Sequence, residues 1–379
     1  MSPWRITCVA LDMGCGGAQR VMHTLTSTLA DAGHNVTLAL FDGGSADFFP
    51  IDPRVRRVPP LAPQPPRFHP LDALGRWRRF VAIRNLILGT APDVVICFED
   101  IPNVEVLLSL AGERIPVIAC EHSDPRFHLI PVRWAMLRRL VYPWAAAVVV
   151  LNDEIARWCS GVKPAWKVVT IPNPVESPQP AAGATRPSYF GPRNVVAVGR
   201  LVPQKGFGSL IDAFAHNAHR RPEWHLTILG DGEERASLER QIREHGLGSR
   251  IHLVGAVEEP MRIIPHADLF VMSSRYEGFG MALVEAMAAG LPVISFACPS
   301  GPAAIIHDGI DGVLVPPGDI PALAEAIANL MDDADGRQRL GAAARHSARR
   351  YAPENIGLLW DDLLRRVTGT PRTPTDYGL

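Results

Sequence analysis

The chain has 379 residues, room for about two domains, and its 47% hydrophobic and 20% charged residues make an ordinary globular composition. Its 38 Lys+Arg and 39 Asp+Glu give a net charge of −1, so the total implies neither a nucleic-acid binder nor an acidic-polymer binder. The distribution is uneven: residues 1–173 carry 18 basic and 15 acidic residues, net +3, and the remainder is net −4.

The six cysteines are Cys8, Cys15, Cys97, Cys120, Cys159 and Cys298. None form a C-x-x-C pair and most sit in apolar runs, so they are expected as reduced core thiols rather than disulfides or zinc ligands. Arg5 leads straight into a strand, so no signal peptide is expected. The longest apolar run, near 145–151, is too short to span a bilayer. The expected location is the cytoplasm, with any membrane contact peripheral, on the cytoplasmic face of the inner membrane.

In chain order, 6–11 reads as a buried strand. A glycine turn with Gly14, Gly16 and Gly17 follows, then a helix to about Asp31 capped by Gly33, and a second strand over 36–40. This is a βαβ start. Asp42 could imitate the ribose-binding acid of a dehydrogenase, but Gln19 fills the last place of G-x-G-x-x-G, which argues against a dinucleotide.

Residues 54–84 hold Arg54, Arg56, Arg57, Arg67, Arg76, Arg78, Arg79 and Arg84, with Asp72 the only acid among them. Residues 59–70 read as a proline-rich loop and 71–88 as a helix. Leu74, Trp77, Val81 and Leu88 fall on one stripe of that helix. Its arginines are either a solvated face or a surface for lipid phosphates or a diphosphate headgroup.

Residues 93–100 and 116–123 read as further strands ending in polar residues, where an open α/β sheet places ligands. His122 follows the second of them, and a lone histidine there is more often structural than catalytic. Arg133, Arg138 and Arg139 form a second basic cluster. Residues 145–152 and 167–175 close the first half, and 177–192 reads as a linker rich in Pro, Ala and Gly.

The second half begins with a strand over 194–201. Arg200 and Lys205 stand five apart on the loop that follows, either a surface pair or two unlike cations suited to a diphosphate. Strand-plus-glycine units follow at Gly230 and Gly255. Residues 273–302 then read as a strand end, a loop carrying Gly278, Phe279 and Gly280, a helix over 281–289, Gly290 as its cap, and a strand over 293–296. A helix N-terminus at a glycine loop binds anions, phosphates above all. Glu277 and Glu285 frame it, eight positions apart. Read alone, this is either a phosphate cradle with two carboxylates for sugar hydroxyls or an ordinary βαβ unit.

The segment SSRYEGFGMALVEAMAAGLPVI resembles the Glu-x7-Glu segment of retaining GT-B glycosyltransferases of family 4. The resemblance covers nearly the whole chain: the glycine loop at 16–20, EHS at 121–123, IPNPV at 171–175 and the Arg-x4-Lys pair. It implies an α/β GT-B fold: two facing Rossmann-like domains with a deep interdomain cleft. The boundaries are 1–176 for an acceptor-binding domain, 177–192 for the linker and 193–352 for a nucleotide-sugar domain, with a helix over 353–367 crossing back. RWRRFVAIR and EHS resemble bacterial transferases that extend undecaprenyl-diphosphate-linked glycans, the N-glycosylation GalNAc transferases in particular.

The resemblance implies transfer of a hexose or N-acetylhexosamine, with retention, from a nucleotide sugar, UDP-linked, to a lipid-linked saccharide or another glycan. By resemblance His122, Glu277, Arg200 and Lys205 are catalytic. Gly16, Gly17, Gly230, Gly255, Gly278, Phe279, Gly280 and Glu285 bind the donor, Glu285 through its ribose. Arg76, Arg78, Arg79 and Arg84 hold the lipid diphosphate. No cofactor and no metal are expected. The expected partners are the nucleotide sugar, a polyprenyl-diphosphate-linked acceptor and the membrane surface, without nucleic acid. The alternatives are a non-catalytic sugar-nucleotide-binding subunit of a glycan-assembly complex, and a GT-B epimerase or phosphorylase.

Overall fold

The computed structural model describes residues 3–14, 16–42, 47–61, 73–162, 164–178 and 186–369. The chain divides into two compact units, Met1–Pro174 with Pro353–Leu379, and Val175–Ala352.

The first unit is built on seven parallel strands: β1 (Arg5–Ala10), β2 (Asn35–Leu40), β3 (Arg56–Arg57), β4 (Val94–Phe98), β5 (Val117–Cys120), β6 (Ala147–Val150) and β7 (Val168–Thr170). Their order is β3-β2-β1-β4-β5-β6-β7. Helices cover both faces of such a sheet, so its central strands must be apolar throughout, and VVICF in β4 and AVVV in β6 are fully buried. Helices α1 (Gly17–Asp31), α2 (Ala73–Leu88), α3 (Asp100–Ser109), α4 (Val132–Val141) and α5 (Asp153–Ser160) connect them. Ile83, Ile87, Val104, Leu107, Trp134 and Ile155 place α2 to α5 in one core with β4 and β6.

The second unit has six parallel strands: β8 (Arg193–Val198), β9 (Trp224–Leu229), β10 (Ile251–Gly255), β11 (Leu269–Met272), β12 (Val293–Phe296) and β13 (Val313–Val315), in the order β10-β9-β8-β11-β12-β13. Helices α6 (Phe207–Ala218), α7 (Arg235–Glu244), α8 (Pro260–Ile263), α9 (Met281–Ala289), α10 (Pro302–Ile305), α11 (Ile320–Asp332) and α12 (Ala334–Ala348) complete it. Phe207, Leu210 and Phe214 of α6 and Leu323 and Ile327 of α11 pack over Val195, Ile228 and Ile294 of the sheet. The last helix, α13 (Pro353–Thr368), belongs to the first unit and lies on α1, where His34 and Asp361 pair at 3.1 Å.

Two sheets of this order have the α/β class and Rossmann-like winding that the sequence suggests. Helix α2 departs from the expected stripe. Trp77 is 62% exposed, while Ile83 and Ile87 are the buried positions; the side chain of Leu74 lies outside the described residues. Arg67, Asp72 and Cys15 also lie outside them, and the five described cysteines are buried free thiols. No helix among the described residues is long and apolar enough to cross a membrane.

Candidate active site

In the second unit every strand points the same way, so the loops after β8, β9, β10, β11 and β12 share one edge. The order reverses between β8 and β11, and an open α/β sheet forms its ligand crevice at such a switch. The loops 199–206 and 273–280 flank it. They are fastened together: Arg275 N donates to Gln204 O at 2.8 Å, Gln204 Nε2 to Tyr276 O at 3.0 Å, and Ser273 Oγ to Lys205 O at 2.9 Å.

Glycine permits this approach. Gly206 sits in the left-handed region at φ 60°, and a Cβ there would collide with the Ser273 carbonyl. A Cβ on Gly301 would stand 2.8 Å from Phe279 O and 2.9 Å from Glu277 Cβ. Gly230 and Gly255 form a backbone bridge, Gly230 N to Gly255 O at 2.8 Å.

Within this frame Lys205 Nζ lies 2.6 Å from Glu277 Oε1. Ser274 Oγ donates to the same oxygen at 2.6 Å. Glu277 is 6% exposed, so its carboxylate is held by a cation and a hydroxyl rather than by water. Arg200, on the same loop as Lys205, is exposed and enters no ion pair among the described residues.

Three residues past Glu277, Gly280 at φ 103° starts α9, and no side chain caps the helix. Its first amides therefore face the loop without a side-chain acceptor, and the helix dipole favours an anion there. Gly290 at φ 81° ends the helix. Glu285 is buried on the second turn. The Phe279 ring is also buried, edge-on to Tyr351 with centroids 5.2 Å apart, so this residue offers a ligand its backbone rather than its ring.

The structure thus brings together Arg200, Lys205, Glu277, Gly278, Gly280 and Glu285, with Gly230 and Gly255 on neighbouring loops of the same edge. Sequence reasoning missed Ser274, Gln204 and Gly206. The signal for Gly206 was present, a glycine directly after Lys205 at the start of a helix.

In the first unit, Gly16 precedes α1 with an extended backbone, φ −165°, and no side chain caps that helix. His122 lies just past β5, its ring 4.0 Å from that of Phe98. Neither ring nitrogen has a hydrogen bond of good geometry within the protein. Burial pulls its pKa down to about 3, with the Asn173 side chain acting in the opposite sense, so the imidazole is neutral near pH 7. Beside it is a buried network that sequence reasoning did not find. Tyr142 Oη donates to Glu121 Oε1 at 2.5 Å, and Asn103 Nδ2 donates to Tyr142 Oη and to Cys120 O, each at 3.0 Å. Arg138 Nη1 stands 3.6 Å from Glu121 Oε1.

The arginines expected at one phosphate surface are divided. Arg79 makes a bidentate pair with Glu105, 2.6 and 2.7 Å, and the Glu105 side chain is 4% exposed. Its guanidinium is therefore committed to the fold and not presented to a lipid diphosphate. Arg84 pairs with Glu113, Arg57 with Asp47, and Arg54 with Asp31 and Asp52. Arg78 is exposed. Arg138, expected in the second basic cluster, is buried beside Glu121.

Residues 186–347 match the family model "Glycosyl transferases group 1", and residues 15–177 match "Glycosyltransferase Family 4". The chain is 30% identical over 354 residues to the amylovoran biosynthesis glycosyltransferase AmsD of Erwinia amylovora, covering 92% of this chain and 96% of that one. It is 28% identical over 371 residues to the GalNAc-alpha-(1->4)-GalNAc-alpha-(1->3)-diNAcBac-PP-undecaprenol alpha-1,4-N-acetyl-D-galactosaminyltransferase of Campylobacter jejuni, covering 96% and 99%. An exopolysaccharide phosphotransferase of Streptomyces coelicolor is 29% identical over 95% of this chain, which spans only 40% of that protein's length. Among solved structures, sucrose-phosphate synthase from Thermosynechococcus elongatus shares the fold with a TM-score of 0.81 at 23% identity, covering 96% of this chain and 99% of that one.

Proposed function

The chain belongs to the family 4 glycosyltransferases of the GT-B fold, and from that premise we propose that it moves a hexose or N-acetylhexosamine from a UDP-linked sugar to a lipid-linked saccharide or related glycan in cell-surface polysaccharide or glycoconjugate assembly. The observation that carries this reading is the Lys205–Glu277 contact at 2.6 Å, beside the uncapped N-terminus of α9 and on the same loop as exposed Arg200.

In this reading Arg200, Lys205 and the first amides of α9 stabilise the charge that develops on the departing nucleoside diphosphate. Such preorganised contacts act more strongly in the transition state than in the ground state. Glu285 holds the ribose and Glu277 orients the donor sugar. His122, neutral through burial, donates or accepts a hydrogen bond at the sugar without carrying charge. The acceptor hydroxyl attacks the anomeric carbon on the face from which the diphosphate leaves. The anomeric carbon–oxygen bond to phosphate breaks, the new glycosidic bond forms, and the acceptor's proton passes to the leaving phosphate oxygen. The chemistry then needs no metal, and the cations replace its charge.

The lipid-linked acceptor is supported by the undecaprenol-linked substrate in the name of the Campylobacter jejuni relative and by the polysaccharide pathway in the name of AmsD. Donor identity rests on hydroxyl contacts that differ between sugars. The test is a nucleotide-sugar panel offered with a synthetic polyprenyl-diphosphate saccharide and read by mass spectrometry. A product one hexose or acetamidohexose heavier supports the proposal. Donor turnover only with a phosphate-free acceptor removes the lipid-linked part, and no turnover with any donor removes the whole.

A further inference from the structure

One surface of the first unit has no part in the donor chemistry. Helix α4 carries its apolar stripe outward. Val132, Met136 and Leu140 recur every fourth residue, and Trp144 continues the spacing just past the helix. They are 75%, 62%, 59% and 57% exposed, and Leu129, before the helix, is 88% exposed. The inner face holds Trp134 and Val141, packed in the sheet's core, and the buried Arg138. A helix that only covered its sheet would turn Met136 and Leu140 inward. Large apolar side chains gathered on one exposed face mark an interaction surface.

The charges around the stripe identify what it meets. Arg133 and Arg139 are exposed on the same helix, and residues 125–152 contain no Asp or Glu. An apolar stripe edged by arginines, ending in a tryptophan, is the pattern of a helix lying in the plane of an anionic bilayer. Arginine stems bury along the stripe while their heads reach phosphate, and the indole sits at the interface. A second copy of this chain suits the surface less well. A two-fold contact would set this acid-free, arginine-edged stripe against itself. Helices α2 and α4 both pack on α3, and α2 repeats the pairing with exposed Trp77 and Arg78.

We infer that α4, with the Leu129 turn before it and Trp144 after it, is a docking surface for anionic phospholipid membranes. The inference rests on the exposed stripe and not on the donor reading. The test is flotation of the full chain with vesicles of phosphatidylcholine, with and without phosphatidylglycerol, and without any polyprenyl lipid. The wild type should float with the anionic vesicles and less so at high salt. Met136→Glu with Leu140→Glu should lower the partition at least about tenfold. Both positions are exposed, so the thermal midpoint should not move. Arg133→Gln with Arg139→Gln is the second variant and should lose the preference for anionic vesicles. A wild type that does not float, or apolar-stripe variants that float unchanged, would overturn the inference. So would a concentration-dependent dimer that the Glu variants abolish, which would assign the stripe to a second copy. Neither vesicle contains an acceptor, so failure here leaves the transferase reading in place, and failure of the nucleotide-sugar panel leaves this inference in place.

Discussion

Lys205 Nζ lies 2.6 Å from Glu277 Oε1, and the carboxylate it meets is almost fully buried, with Ser274 as its other partner. Arg200, five residues earlier, is exposed and enters no ion pair among the described residues. The two cations should therefore respond differently to removal. Each substitution to Ala should lower turnover by roughly two to three orders of magnitude, the 3–4 kcal/mol that one preorganised contact supplies. Only Lys205→Ala should also lower stability, because it leaves a buried carboxylate without its counter-charge. Thermal midpoints measured beside kcat/KM separate the cases. Near-wild-type rates in both folded variants would show that the diphosphate lies elsewhere.

Glu285 is buried on the second turn of α9. A ribose contact is made in the ground state as well as in the transition state, so its loss weakens binding in both. Glu285→Gln should raise the Michaelis constant for the donor and change kcat little. Equal loss of kcat with no change in that constant would move Glu285 from the ribose to the reacting centre.

Turnover should not require a divalent metal. Among the described residues no three His, Cys, Asp or Glu gather where they could hold one, and Arg200 and Lys205 supply positive charge at the proposed diphosphate position. Activity should survive EDTA. Complete loss that Mg²⁺ or Mn²⁺ restores would reject the cationic account of the leaving group.

Arg79 and Arg78 are adjacent in sequence and opposite in role. Arg79 is clamped to buried Glu105, and breaking a buried pair by removing one partner costs about 3–5 kcal/mol. Arg79→Ala should lower the unfolding free energy by about that amount, whereas Arg78→Ala should leave it within about 0.5 kcal/mol. Denaturant titration of both variants checks this, and equal midpoints would mean that the Arg79–Glu105 pair contributes no net stability.

That pair also shows what the sequence could and could not convey. The strands were legible because a parallel sheet covered on both faces demands continuous apolar runs, as in VVICF. The donor loop was legible because Gly280, Gly290 and Glu285 sit at fixed offsets along one helix. Long-range partners were not. The acid that neutralises Arg79 is Glu105, 26 residues away on α3, so counting charges within 54–84 made the segment look more basic than its surface is. On α2 the apolar residues support more than one stripe. The sheet beneath, and not the periodicity, decides that Ile83 and Ile87 face inward while Trp77 does not. Arg138 turns inward to Glu121 while Arg133 and Arg139 stay exposed, a division that a three-arginine pattern does not contain.

Glu121 couples the fold of the first unit to pH. Burial pushes its carboxyl up to about 7 from 4.5, opposed by Arg138, aided by Asp100 and opposed again by the Tyr142 hydrogen bond. His128, paired with Asp100, also faces the network and acts weakly against the rise. A raised carboxyl pKa means that the folded state holds a proton the unfolded state has released. That contribution is fully present below about pH 4.5 and is lost as pH rises through about 7, at a cost on the order of 3 kcal/mol. His122 has the opposite sign. Its folded pKa falls from 6.5 to about 3, so the unfolded state gains the proton first and stability declines as pH falls below 6.5. Between about pH 4.5 and 6.5 the two slopes oppose each other. Glu121→Gln removes one of them and leaves the histidine's, so this variant should lose stability on acidification across that window while the wild type changes less. Above pH 6.5 the wild type should continue to lose stability up to about pH 7 relative to the variant. Groups common to both proteins cancel in the difference. Unfolding free energies that run parallel for the two proteins from pH 4.5 to 7 would show that Glu121 is already charged in the folded state.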